Sequence, residues 1–317
     1  MAGTPTVATA ALDWPRQMQQ QAAALDYQDL EACLADPDDE GLVAWFAGKL
    51  PVGAAVAVRA APGQGVRQAA DGRRYAWSSW RFEAAHRLPH VPAGHKCGRV
   101  HGHGFRVVIH VPLGAGGLGW GADHDRLADA WRPLHAQLHG RYLNDLPGLD
   151  NPTSEWLSVW IWQAVRESLG PECWVTVYET ASCGAHFDGT HHHIWKDFTL
   201  DSATLEQGRL LGHTFTTRLY LTGPLHAEFG WAQDFADVKA LFDPVFRRLD
   251  HHPLHEIADL AGPAQAGTVD GANIAHYIRA RTQQTLPALS RVDILDGCGG
   301  GASLQWGGCD LQPLPEG

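Results

Sequence analysis

The sequence is short of positive charge: Lys and Arg number 24 against 35 Asp and Glu, a formal net charge of -11. Duplex nucleic acid is bound by a basic face that neutralises phosphates, and no basic cluster occurs, so nucleic acid is excluded as a partner. Long hydrophobic runs are missing as well. No stretch approaches the roughly 20 apolar residues of a membrane span, which excludes a membrane partner. The N-terminal MAGTPTVATAALDWPRQ lacks the basic and apolar regions of a signal peptide. The six cysteines (Cys33, Cys97, Cys173, Cys183, Cys298 and Cys309) show no short framework spacing. Together these absences predict reduced thiols and a cytoplasmic protein.

What the chain does have is length, tryptophan and histidine. Its 317 residues suit about two domains on a prior of roughly 150 residues each. The 13 tryptophans are expected to anchor cores or subunit interfaces, because large rings bury the most area. The 19 histidines raise the question of a metal, and also the frequency of chance pairs.

Residues 1–74 read as an N-terminal extension. The acidic stretch DYQDLEACLADPDDEGLVAWFAGKL predicts one or two short helices, and APGQG at 61–65 signals a loop. No chemistry is evident there, and a packing or assembly role is expected. From Tyr75 the pattern changes. YAWSSWRFEAAH and GFRVVIHV read as strands, the second alternating Phe105, Val107 and Ile109 with Arg106, Val108 and His110. In the next segment Leu127, Trp131, Leu134 and Leu138 fall at helical spacing, with Gly140 placed to end the helix. SEWLSVWIWQAVRESLG predicts a second helix with Ser154 as N-cap. WVTVYE then predicts a strand with Val175, Val177 and Glu179 on one face.

An internal repeat organises the rest. CGRVHGHGF from Cys97 aligns without gaps on QGRLLGHTF from Gln207. The segment from Asp123 aligns on that from Asp234, with Pro133 and Pro244 coinciding, and WVTVYETASCGAHF matches RVDILDGCGGGASL. Two copies of one ββααβ-like module are therefore predicted, at 75–189 and 190–317. Their linker lies near residues 189–197, where His191, His192 and His193 read as a solvated run.

His101 and His103 stand at i and i+2, so on a strand both side chains share a face and converge on one point. His86, ending the preceding strand, can add a third imidazole. Three nitrogen ligands with one open position is the catalytic rather than the structural zinc pattern. Cys97, four residues before His101, can act as a proton-abstracting thiolate near a cation, or can be a buried small hydrophobe. Glu179 can accept a pair of N–H bonds from a guanidine-like ring edge, or can be an ordinary strand-end acid.

These pieces together resemble one family. FEAAHRL at Phe82–Leu88, Cys97-x-x-x-His101-Gly102-His103, Asn151-Pro-Thr-Ser-Glu155 and Tyr178-Glu179-Thr180 occur in the order and spacing of the 6-pyruvoyltetrahydropterin synthase family. The three-residue gap after the cysteine is similar to its bacterial branch, 6-carboxytetrahydropterin synthase. The resemblance covers residues from about 75 to 310. It implies an α+β architecture of two tandem tunnelling-fold (T-fold) modules, each a four-stranded antiparallel sheet with two helices on one face. It also implies assembly into barrel-like rings as a homo-oligomer. Carried over residue by residue, it makes His86, His101 and His103 ligands of Zn2+, Cys97 the catalytic thiol, and Glu179 the pterin anchor. Thr153 and Glu155 become pocket wall, and Arg87, Lys96 and Arg99 candidates for meeting a triphosphate. The implied reaction is a lyase conversion of 7,8-dihydroneopterin triphosphate to 6-carboxy-5,6,7,8-tetrahydropterin, a step toward 7-deazaguanine (queuosine) synthesis. A 6-pyruvoyltetrahydropterin-type product and a non-catalytic pterin-binding protein are the alternatives.

The copies depart from the family pattern in complementary ways. The family's Asp-His pair is missing from the first copy, which reads Leu138-His139-Gly140-Arg141, and is present in the second as Asp250-His251. The second copy has Thr204 for His86, Gln207 for Cys97, Leu211 for His101 and Asp296 for Glu179, keeping only His213. One imidazole does not hold zinc. The expectation is one composite site, with zinc, Cys97 and Glu179 from the first copy and Asp250 and His251 from the second.

Overall fold

The computed structural model describes residues 14–50, 54–113, 122–261, 269–297 and 300–306. Three short helices come first: α1 (Trp14–Ala23), α2 (Leu30–Cys33) and α3 (Asp39–Ala47). A hairpin follows, β1 (Val56–Ala61) and β2 (Gln64–Gln68), and then two long strands, β3 (Arg74–His86) and β4 (His101–Pro112). The first repeat continues with α4 (Ala122–Leu138), β5 (Arg141–Tyr142), α5 (Ser154–Leu169), β6 (Trp174–Thr180) and β7 (Cys183–Phe187). The second repeat comprises β8 (His192–Glu206), β9 (Arg209–Thr222), α6 (Phe235–Leu249), α7 (Ala258–Ala261), α8 (Gly271–Thr282), β10 (Leu289–Leu295) and β11 (Gly301–Gln305).

All eleven strands join one sheet in the order β1-β2-β3-β4-β6-β7-β8-β9-β10-β11, antiparallel throughout except that β5 lies parallel to β3. The β7–β8 pairing carries the sheet from one repeat into the other, so no linker separates them. This corrects the reading of His191–His193 as a solvated run. His193 lies within β8 opposite His186 and is fully buried, with Nδ1 at 2.7 Å from the Thr222 hydroxyl. Only His191 is exposed, beside Asp188 in the turn.

One face of the sheet packs on the helices. Phe82, Phe105, Val107, Ile109, Val175 and Val177 form a core with Leu127, Trp131, Leu134 and Leu138 of α4 and with α5. Leu200, Phe215, Leu219, Val292 and Ile294 do the same with α6 and α8. The opposite face is not solvated, as simple alternation predicts. Trp77, Val108, Tyr178, Trp195 and Tyr220 bury one another there. The α5 N-cap is Thr153 rather than Ser154, its hydroxyl accepting from the Trp156 N–H at 3.2 Å.

The extension also differs from expectation. Its helices form, but 56–68 is a hairpin turning at Gly63 (φ 76°), and β2 pairs along β3. Val43, Val56 and Val66 belong to the first repeat's core. An aspartate at position 43 has no room for hydration, so Val43→Asp is expected to destabilise the chain by more than about 3 kcal/mol in urea unfolding. Near-neutral stability would show the extension to be an appendage.

Four cysteines among the described residues, Cys33, Cys97, Cys173 and Cys183, are free thiols, while Cys298 and Cys309 lie outside the described residues. Among the described residues no helix is long and apolar enough to cross a membrane.

Candidate active site

The β3–β4 ladder pairs His86 with His101 and Ala84 with His103, so three imidazoles leave one end of the helix-facing side of the sheet. The same face continues inward as Phe105, whose ring lies 5.4 Å from that of His103. The ring centroids of His86, His101 and His103 are 4.5, 5.2 and 5.1 Å apart. β6 completes the group. Glu179 follows Val175 and Val177 on that face, bringing Oε1 within 3.2 Å of His103 Nε2.

The tautomers suit a cation. His86 Nδ1 lies 3.0 Å from the Pro152 carbonyl and His101 Nδ1 2.8 Å from that of Arg99. Each Nδ1–H donates to its carbonyl, which turns Nε2 and its lone pair inward. His86 Nε2 is buried without a hydrogen-bond partner, and the buried His103 Nε2 faces the Glu179 carboxylate. Burial holds the His86 imidazole down at about 4 against the pull of Glu179, so it is neutral at pH 7. Burial pushes the Glu179 carboxyl up, but His103, His86 and His101 outweigh it and bring it below the usual carboxylate range. Ligand-type atoms of His86, His101, His103 and Glu179 all lie within 4.8 Å of one another. Three converging imidazoles with an adjacent carboxylate are a donor set that fits a divalent metal ion.

Cys97 sits in the short turn Lys96–Gly98 between β3 and β4, beside this group. It lines a small, partly open pocket together with His86, His95, Thr153, Glu155 and Glu179. Burial, then the Glu179 charge, push its thiol up. The sequence missed the other wall, which is built by Trp231, Gln233, Asp234 and Phe235 of the second repeat. Backbone groups hold it there. The Asn151 amide donates to the Phe229 carbonyl at 2.7 Å and the Thr153 hydroxyl to that of Gly230 at 2.8 Å. Glu155 Oε1 accepts from the Ala232 N–H at 3.0 Å. Gly230 is at φ 71°, and a Cβ there would sit 2.6 Å from the Trp156 ring, so only glycine permits this approach.

Thr153 and Glu155 are thus pocket wall and interdomain clasp together. Burial raises Glu155 to about 7, against the Ala232 N–H that favours the carboxylate. The fold therefore holds a proton that the unfolded chain releases near 4.5, and this contribution to stability falls as pH rises from 4.5 through 7. Glu155→Gln should remove a pH-dependent term of up to about 3 kcal/mol across that window, read as the difference between the two proteins' metal-free stability curves. Parallel curves would refute the assignment.

The second repeat carries the equivalent positions in altered form. Thr204 pairs with Leu211 and Ser202 with His213, the register of His86 with His101 and Ala84 with His103. His213 Nε2 is taken by the Thr204 hydroxyl at 2.8 Å. Gln207 is not a spatial counterpart of Cys97. It stands at φ 49° in the tight β8–β9 turn, where the Cys97 loop has no equivalent. Asp296 does follow β10 at the register position of Glu179.

Asp250 and His251 are away from this pocket, among neither its lining residues nor its clasp. Asp250 Oδ1 accepts from the Asp201 N–H at 3.0 Å, and His251 Nδ1 lies 2.8 Å from Asp250 Oδ2 with the ring largely exposed. In the first repeat His139 Nδ1 accepts from the Glu83 N–H at 3.1 Å, and Gly140 occupies the position of His251. Gly140 has φ 69° and His251 φ 57°. A left-handed conformation suits glycine and costs histidine on the order of 1 kcal/mol.

The family model described as 6-pyruvoyl tetrahydropterin synthase matches this chain twice, over residues 76–190 and 185–305. A Synechocystis 6-carboxy-5,6,7,8-tetrahydropterin synthase is 37% identical over 118 residues, 35% of this chain and 90% of its own. A Pyrococcus furiosus dihydroneopterin monophosphate aldolase is 32% identical over 104 residues, 32% of this chain and 82% of its own. The Caenorhabditis elegans 6-pyruvoyl tetrahydropterin synthase structure aligns at 19% identity with a TM-score of 0.30, over 33% of this chain and 88% of that one. With both repeats matched and the motif residues gathered around one pocket, the chain belongs to the 6-pyruvoyl tetrahydropterin synthase family, as a tandem duplication.

Proposed function

We propose that this chain converts 7,8-dihydroneopterin triphosphate to 6-carboxy-5,6,7,8-tetrahydropterin, at a zinc-dependent site shared between its two repeats, each read as one four-stranded, two-helix T-fold module. The observation that carries this reading is the convergence of the His86, His101 and His103 imidazoles with Glu179, at a pocket that Cys97 lines and whose far wall belongs to the second repeat. The similarity to the Synechocystis 6-carboxytetrahydropterin synthase supports the choice of product.

His86, His101 and His103 would hold the ion, which supplies a Lewis acid at the substrate's side-chain hydroxyls. Cys97 moves a proton between the side chain and the ring. Glu179, an ionised acceptor at the pocket floor, takes the paired N–H groups of the pterin edge. Glu155, raised to about 7 by burial, carries only part of its charge near neutrality in the wall beside it. Arg87, Lys96 and Arg99, exposed on and beside the Cys97 loop, would meet the triphosphate. Departure of triphosphate, followed by carbon–carbon cleavage that consumes one water, releases acetaldehyde and leaves the 6-carboxy product. Incubating zinc-loaded protein with the triphosphate tests this: acetaldehyde and a 6-carboxy mass are expected. A retained side chain indicates the 6-pyruvoyl reaction, and bound pterin without turnover a binding protein.

Asp250 and His251 serve this site from another chain of a homo-oligomer. Their exposed position and the strained φ of His251 support that role, since an imidazole is kept where glycine is the cheaper residue. The Asp250 carboxylate, through its hydrogen bond and charge, raises the affinity of His251 for a proton. His251→Ala is expected to lower kcat at least about 100-fold with metal content unchanged. Near-normal turnover would remove the pair from the mechanism.

A further inference from the structure

The second repeat lacks the three-imidazole set at the positions equivalent to His86, His101 and His103, yet it reaches the Cys97 turn directly. His95, which caps that turn, is the point of contact. Its Nδ1 faces the Cys97 backbone N–H at 3.2 Å, and its Nε2 lies 2.9 Å from Asp234 Oδ2. An amide N–H can only donate, so Nδ1 must be the acceptor and Nε2 must carry the hydrogen that Asp234 receives. The other carboxylate oxygen of Asp234, Oδ1, caps α6 by accepting from the Ala236 N–H at 2.7 Å. One carboxylate therefore fastens a helix of the second repeat and, through one imidazole, the backbone of Cys97. The Trp231 ring packs 5.9 Å from that of His95 and limits its rotation.

We infer that Asp234 and His95 form a positioning relay by which the second repeat fixes the Cys97 turn over the pocket. His95 is not a proton carrier in this arrangement, because its one lone pair is occupied by the Cys97 amide. Its part is to transmit a hydrogen-bond polarity: carboxylate to Nε2–H, Nδ1 to amide. The role of the fixed thiol rests on the proposed reaction, whereas the relay itself is a property of the fold.

Asp234→Asn separates this relay from simple support. Asparagine caps α6 as well as aspartate does, so α6 stays anchored. With its amide oxygen on Ala236, however, its amide N–H groups face His95 Nε2. The imidazole must then turn its hydrogen to Nδ1, against the Cys97 N–H, and the turn loses its acceptor. Hydrogen exchange at the Cys97 amide is expected to speed up at least 10-fold, and alkylation of Cys97 by iodoacetamide several-fold, with the unfolding midpoint held. If the proposed reaction holds, kcat falls about 10-fold or more while KM stays within about two-fold.

His95→Asn supplies the control. An asparagine oxygen at position 95 can accept from the Cys97 N–H without reference to Asp234. In that background Asp234→Asn should have no further effect on exchange, a non-additive cycle. Unchanged exchange in Asp234→Asn alone, or additive effects in the double variant, would overturn the relay. Absence of turnover in the unaltered protein would refute the reaction and leave the exchange result to decide the relay.

Discussion

Cys97→Ala should lower kcat about 1,000-fold while leaving metal content and folding intact. The thiol is half-buried, makes no metal-ligand contact in the His86, His101, His103 and Glu179 group, and loses only a small side chain on substitution. Proton transfer by a positioned side chain accounts for about 100- to 10,000-fold in typical enzymes. Serine at position 97 is a sharper variant. It nearly keeps the size but puts a hydroxyl, a far weaker acid, in place of the thiol, so Cys97→Ser should be almost as slow as alanine. The pH dependence adds a signature. Burial and the Glu179 charge push the thiol up, so in metal-free protein its alkylation should rise at a higher pH than that of an unperturbed cysteine. Wild-type turnover in Cys97→Ala would remove this residue from the chemistry and with it the main reason for the shape of the loop.

His101→Ala and His103→Ala should each reduce bound zinc from about one per chain to below about 0.1, with turnover lost in proportion. Two imidazoles and a carboxylate would remain, but the inward geometry depends on the set. His86 and His101 are oriented by the Pro152 and Arg99 carbonyls, and the other pocket imidazole, His95, has both nitrogens engaged by the Cys97 N–H and Asp234. Both positions are partly exposed at the strand end, so alanine costs little packing. Elemental analysis of purified variants reads the result. Two zincs per wild-type chain would contradict the reading of the second repeat, where His213 is bound to Thr204.

The catalytic face was legible because strands impose parity. His101 and His103 had to project together with Phe105, and Glu179 with Val175 and Val177, whatever the rest of the chain did. The register of the duplicate was legible at Thr204, Leu211, His213 and Asp296, but not at Gln207, which lies in the tight β8–β9 turn and not at a counterpart of Cys97. The far wall of the pocket was not. Asp234 is 139 residues from His95, and Glu228–Ala232 holds the site through backbone carbonyls and an N–H, which carry no signature in side-chain pattern. The β1–β2 hairpin was available in principle, as Pro62-Gly63 between two short alternating runs, but its strands are brief and were subsumed in the loop signal. The burial of His193 depends on a strand pairing, β7 with β8, that joins the two repeats into one sheet.

The clasp formed by Asn151, Thr153 and Glu155 on residues 229–232 lies within a single polypeptide. Its closure is a unimolecular event governed by a fixed effective concentration, so diluting the protein does not open it. Any contribution from Asp250 and His251 across a chain boundary is bimolecular and disappears when oligomers dissociate. A dilution series would therefore separate the two halves of the proposed composite site. Activity that survives to the monomer belongs to the clasped pocket alone, and activity that falls with dilution measures the partner's share.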